Sequence, residues 1–209
     1  MNFELPDWTQ AKINNVNIRS EKCGSDDLEP AVDLSISIEQ PNSVLAEFDG
    51  FLLSALYYKS AASVDTQAEL DGVQPVSERP NLRFAKLAYP LKWEDEGSGY
   101  TLEIDHGLGG KSNVALTGCA VNAFAINPKE GGTVELKFRV QCAGSDELTE
   151  KTLGKLAMLV QHTVPIMLLA PDTEGSQQSG EDLGLTKVEL AGVPHTPESA
   201  LAQAVGAQP

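Results

Sequence analysis

The sequence predicts an α+β domain built mainly on antiparallel β-sheet, curled into a barrel or packed as a sandwich, with two packed helices and a flexible C-terminal tail. Three patterns predict it. Apolar and polar residues alternate at Val32, Leu34, Ile36 and Ile38, and again at Val134, Leu136, Phe138, Val140 and Cys142, the period of a strand with one buried face. Val44, Phe48, Leu52 and Leu56 recur every four residues, the period of a helix. After Pro171 carboxylates accumulate and apolar density falls, so that segment has too little to bury against its ordering entropy. The expected organisation is one β-rich domain over 1–170 with a long loop at 59–81, then a flexible acidic tail over 171–209.

The elements follow in chain order. Strands are expected at Ile13 to Arg19 and at Val32 to Ile38. The first helix starts after Pro41, with Asn42 or Ser43 as N-cap, and Leu45 and Leu53 widen its apolar face. The segment Lys59 to Asn81 is polar and mixed, long for a simple connection. Leu82 to Leu87 is a weaker strand pattern. Tyr100 to Asp105, Val114 to Leu116 and Ala120 to Ile126 are strands, with turns at Glu94 to Gly99 and His106 to Ser112. Asn127-Pro128-Lys129-Glu130-Gly131-Gly132 makes a hairpin connection into the strand Val134 to Cys142. Together these form a meander from about Leu91 to Cys142. A second helix carries Leu153, Leu156, Ala157 and Val160, capped by Ser145 or Asp146, with Glu147 and Glu150 at the positive end of its dipole. Thr163 to Leu169 is the last strand.

With 209 residues, 41% of them hydrophobic and 22% charged, the chain can bury a core. Its net charge of −15 repels phosphate backbones and disfavours broad contact with duplex DNA. The three cysteines, Cys23, Cys119 and Cys142, are odd in number and lack a C-x-x-C spacing, so they are expected as small buried residues in a reducing compartment. No signal peptide is evident at Met1 to Trp8, and the apolar run Val164 to Ala170 is too short to span a bilayer. A cytoplasmic location without membrane contact is expected.

No catalytic constellation emerges. Gly107-Leu108-Gly109-Gly110-Lys111-Ser112 resembles a phosphate loop, but the first glycine position of that motif holds Asp105 and the flanks are strands. His106, His162 and His195 lie far apart, so no metal site is expected, and no cofactor. Two stretches remain as candidate surfaces. Glu94, Asp95 and Glu96 at a turn, with Asp65, Glu69 and Asp71 in the long loop, suit a basic protein partner. Arg83, Phe84, Lys86, Lys92 and Trp93 interleave cations with aromatics, a pattern that can stack on single-stranded nucleic acid.

Five motifs stand out between Leu82 and Ala170: Leu91-Lys92-Trp93, Gly99-Tyr100, Asp105-His106-Gly107-Leu108-Gly109-Gly110, Glu130-Gly131-Gly132-Thr133-Val134 and Lys151-Thr152-Leu153-Gly154-Lys155-Leu156. On these the stretch resembles uncharacterised accessory proteins of tailed bacteriophages and prophages. The resemblance implies a phage origin and hence a host bacterial cytoplasm, and brings no activity or site residue with it. The expectation is a non-catalytic interaction protein, not an enzyme, whose acidic surface binds a basic, nucleic-acid-binding protein, in the manner of an inhibitor or DNA mimic. Two alternatives stand beside it: a phage single-stranded DNA-binding accessory of replication or recombination, and a virion tail component.

Overall fold

The alternating segments of the sequence become the staves of a closed barrel. A computed structural model describes residues 3–23, 27–59, 79–107 and 112–171. In chain order these give β1 (Leu5–Cys23), β2 (Asp27–Pro41), a 3-10 turn (Asn42–Val44), α1 (Leu45–Phe48), α2 (Leu52–Leu56), β3 (Tyr57–Tyr58), β4 (Asn81–Leu82), β5 (Leu91–Trp93), β6 (Gly97–Ile104), β7 (Val114–Lys129), β8 (Thr133–Ala143), α3 (Glu150–Met158) and β9 (Thr163–Leu169). The sheet runs β7-β6-β9-β1-β2-β8, and β8 pairs back onto β7, closing a ring of six antiparallel strands. Closure removes the free sheet edges that would otherwise template association. The short strand β5 joins as a seventh, on β7 beyond the end of β6. β3 and β4 form a separate two-stranded pair.

Inward positions carry the apolar half of each alternation. Ile13, Leu34, Ile36, Leu102, Val121, Leu136 and Ile166 are all buried, filling a barrel too narrow to leave a channel. Phe3, Phe48, Phe124 and Phe138 pack ring on ring toward the end where α1 and α2 follow β2, with centroids 5.2–5.8 Å apart. At the other end α3 follows β8 and buries Leu156, with Leu148 and Leu159 beside it.

The long β7 departs from strict alternation. Its buried positions are Val114 and Leu116, then Cys119 and Val121, then Phe124, Ile126 and Pro128. Extra residues at Thr117-Gly118 and Asn122-Ala123 reset the phase, with Gly118 at φ 68° and Ala123 at φ 56°. The two separate strands expected at 114–116 and 120–126 are therefore one strand with two bulges. The first strand also begins earlier than its apolar pattern, at Leu5. Residues 5–12 are held by backbone pairing to β9, and Trp8 there remains 47% exposed.

The helices differ from expectation in their ends. One helix from 43 to 56 is broken at Asp49-Gly50, where Asp49 is extended and its carboxylate accepts a hydrogen bond from the Phe51 amide at 2.7 Å. Asn42 does not cap; it is buried, and its side-chain amide donates to the Arg79 carbonyl at 2.9 Å. For α3 the cap is Thr149, not Ser145 or Asp146, with its hydroxyl accepting from the Thr152 amide at 3.2 Å. Of the weaker pattern at 82–87, only Asn81–Leu82 is strand.

Beyond Ala31, β1 and β2 leave the barrel as a two-stranded ribbon, paired to Cys23↔Asp27. Asp33 anchors its base. It accepts from Arg19 Nε at 3.1 Å and Nη2 at 3.0 Å, and from Gln141 Nε2 at 3.0 Å. The Arg19 guanidinium, with help from Gln141, holds the Asp33 carboxyl below its ordinary range despite partial burial. A depressed folded pKa contributes stability above the unfolded value of about 4, lost as pH falls through the folded value. In Asp33→Asn, acid titration by circular dichroism is expected to show a stability loss about 1 kcal/mol smaller between pH 5 and 2 than in the parent. Equal acid limbs would show that the pair contributes nothing.

Among the described residues no helix is long and apolar enough to cross a membrane.

Candidate functional site

The second bulge of β7 opens the barrel wall. On one edge of β7, β5 pairs through Trp93↔Phe124 and β6 resumes at Gly97↔Val121. Glu94, Asp95 and Glu96 cross the gap without ladder partners. On the other edge the β8 register slips between Asn122 and Ala125. Ala123 thus stands where both ladders are interrupted. A groove of about 840 Å³ results, lined by residues 92–96, 122–125 and Arg139.

Each wall has an identifiable support. Trp93 is half-buried and packs edge-on against Phe48, centroids 6.2 Å apart, so it forms a fixed apolar side. Asp95 Oδ1 accepts from the Glu96 amide at 2.9 Å, which shapes the turn. Gly97 lets the chain re-enter the sheet over Tyr100: a Cβ there would lie 2.5 Å from that ring. Arg139 Nε donates to Asn122 Oδ1 at 3.0 Å, and Asn122 Nδ2 donates to Gln141 Oε1 at 2.8 Å. Gln141 in turn reaches Asp33, so a polar chain runs across four strands from Arg19 to the groove.

Electrostatically the groove differs from the wall beside it. Across β2, β7 and β8, Lys129 pairs with Glu39 and Glu135, and Lys137 with Glu135. Among the described residues none of Glu94, Asp95 and Glu96 makes an ion pair. Their charge is offered outward, with Lys92 and Arg139 the cations at the rim. Such a site can accept guanidinium or ammonium groups and lay their stems on an indole face. Among the described residues no cluster of three or more His, Cys, Asp and Glu side chains is placed to hold a metal ion.

No protein-family model matches this chain, and no curated protein or solved structure matches it either.

The sequence candidates are partly brought together. Lys92, Trp93, Glu94, Asp95 and Glu96 share the groove, so residues proposed for two different ligands line one site. Arg83, Phe84 and Lys86 instead follow β4, on the turn beside α2. There Arg83 Nε donates to the Ser54 carbonyl at 2.9 Å and its guanidinium lies 5.6 Å from the Tyr58 ring centroid. Phe84 is 53% exposed. Asp65, Glu69 and Asp71 lie outside the described residues, as do 108–111 of the phosphate-loop-like turn. Sequence reading missed Asn122 and Arg139. Each looks like the outer, solvated residue of an alternating strand, and only the β7 bulge turns them toward the acidic turn.

Proposed function

We propose that this chain is a non-catalytic docking protein, phage-encoded as its motifs suggest, whose acidic turn receives cationic side chains of a nucleic-acid-binding protein. The observation that carries this reading is the groove itself: three carboxylates that make no ion pair among the described residues, beside a fixed indole in a gap of the barrel wall. Opposite charge steers the encounter and the half-buried Trp93 supplies desolvated contact. Acting as an inhibitor by imitating DNA charge belongs to the same reading. The single-stranded DNA alternative draws on Lys92, Trp93 and Arg139 in the same groove. It is disfavoured because the carboxylates lie among those cations and because Arg83 is engaged elsewhere.

The test uses a fluorescent arginine- and lysine-rich peptide and a single-stranded oligonucleotide, each titrated by anisotropy over a range of salt concentrations. Neutralising Glu94→Gln, Asp95→Asn and Glu96→Gln together is expected to weaken peptide binding about tenfold at low salt. Added salt should erase the difference. Peptide binding unchanged by neutralisation would overturn the reading. Oligonucleotide binding strengthened by it would favour the alternative.

A further inference from the structure

At the α3 end of the barrel, the first bulge of β7 and the end of β8 bring two thiols together. The register Ala120↔Gln141 and Val121↔Val140 sets Cys119 directly across from Cys142. Cross-strand partners point to the same face, and both side chains are buried, at 0% and 1% exposure. Opposed residues of an antiparallel pair have Cα atoms ~4.5 or ~5.5 Å apart. Both spacings fall within the roughly 4.4–6.8 Å that a disulfide accepts. Cys119 Sγ donates to the Leu116 carbonyl at 3.4 Å and Cys142 Sγ to that of Thr117 at 3.5 Å. Both cysteines are free.

A cavity open to solvent adjoins this pair, lined by the residues that flank the two cysteines and not by the cysteines themselves. It holds about 340 Å³ and is lined by Thr117, Gly118 and the segment Ala143–Glu147. Thr117 and Gly118 precede Cys119, and Ala143 follows Cys142. Gly118 and Gly144, both at positive φ, keep side chains out of the opening. The cavity has room for several water-sized molecules, so a small oxidant can collect next to the residues that flank each thiol. Ser145 and Glu147 sit at its rim, hydrogen-bonded to each other.

We propose that Cys119 and Cys142 are a peroxide-sensitive dithiol that closes to a disulfide across the β7–β8 seam. Cys142 is the attacking group. Its thiol is shifted toward the thiolate, chiefly by the neighbouring Cys119, whereas Cys119 is pushed the other way by Cys142 and by burial. The Cys142 thiolate attacks one oxygen of hydrogen peroxide. The O–O bond breaks, and the departing hydroxide takes up a proton to become water, leaving a sulfenic acid. Cys119 then attacks that sulfur: the S–S bond forms, the S–O bond breaks, and hydroxide leaves with the Cys119 proton as a second water. Two thiols lose two electrons in all, and one peroxide is reduced.

The full-length reduced chain is treated with hydrogen peroxide and analysed by mass spectrometry with peptide mapping. The parent and Cys23→Ser are expected to lose the mass of two hydrogens and to give a peptide linking Cys119 to Cys142. Cys119→Ser should accumulate a sulfenic acid at Cys142, trapped by a 1,3-dione, and Cys142→Ser should give neither product. Oxidised glutathione, too bulky to meet two fully buried thiols, should give no linked peptide. The proposal fails if Cys119 and Cys142 stay reduced while Cys23 in the same molecules is oxidised. It fails equally if the linked peptide joins Cys23. Because the parent and Cys23→Ser decide these outcomes, misfolding of the other variants would not rescue it.

Discussion

Phe124→Ala is expected to lower the unfolding free energy by about 3–5 kcal/mol. Phe124 is 2% exposed and meets three other rings: Phe3 and Phe48 edge-on, and Phe138 in a stack. Its backbone also pairs with Trp93, so it supports the groove from beneath. Truncation removes the transfer energy of the ring and leaves a cavity that a closed barrel relaxes around poorly, because every stave is hydrogen-bonded on both edges. Urea denaturation should show the midpoint falling with little change in slope. Phe124→Leu keeps most of the volume and should cost far less. A loss under about 1 kcal/mol for the alanine variant would mean that this ring cluster is not packed as described.

Tyr57→Phe is expected to abolish a loss of stability that the parent suffers in alkali. Tyr57 is fully buried, and its hydroxyl lies 2.9 Å from the Lys129 carbonyl and 2.8 Å from that of Thr133, bridging the two sides of the β7–β8 turn. Burial pushes its phenol up to about 12. In the unfolded chain the phenol ionises near pH 10. Between those values the unfolded state has released a proton that the folded state keeps, so stability falls as pH rises. The full loss is roughly 2–3 kcal/mol by pH 12. Below pH 9 the variant should be weaker than the parent by about 1–2 kcal/mol, because the phenolic proton shared between the part-buried Lys129 and Thr133 carbonyls is lost. The two stability curves should therefore converge, or cross, in alkali. Parallel curves from pH 8 to 12 would show that Tyr57 ionises as freely in the folded protein as in the unfolded one.

The groove reading and the dithiol reading both depend on the bulges of β7, and neither bulge is legible as such in the sequence. A period-two reading places 114–116 and 120–126 on separate strands because the apolar phase shifts between Leu116 and Cys119. The backbone absorbs that shift within one strand, through a glycine at Gly118 and a left-handed alanine at Ala123. The acidic turn at 94–96 was visible from composition. Its juxtaposition with Asn122 and Arg139 was not, since contacts across strands carry no local signal. In the same way Cys142 was legible as an inward residue of an alternating strand, while its facing partner Cys119 depended on register.

The first helix shows the opposite limit. The four-residue apolar repeat from Val44 to Leu56 is real, but Asp49-Gly50 ends the first turn, and packing of Leu45 and Leu56 against the barrel keeps the two pieces in place. Tertiary burial replaced the continuous helix that the repeat alone would favour.

Local pattern by itself determined the antiparallel β-rich class, the β6–β7–β8 part of the expected meander (β5 pairs with β7 and not with β6), the hairpin at Glu130-Gly131-Gly132 and the last strand, because alternation and glycine turns are properties of neighbouring residues. Closure into a six-stranded ring, the ribbon that outruns it, the groove and the paired thiols were decided only in three dimensions. Closure depends on the ladders of β2 with β8 and of β1 with β9, between segments far apart in the chain, and the groove and the thiol pair depend on the bulged register of β7; neither kind of register is written in a single stretch of chain.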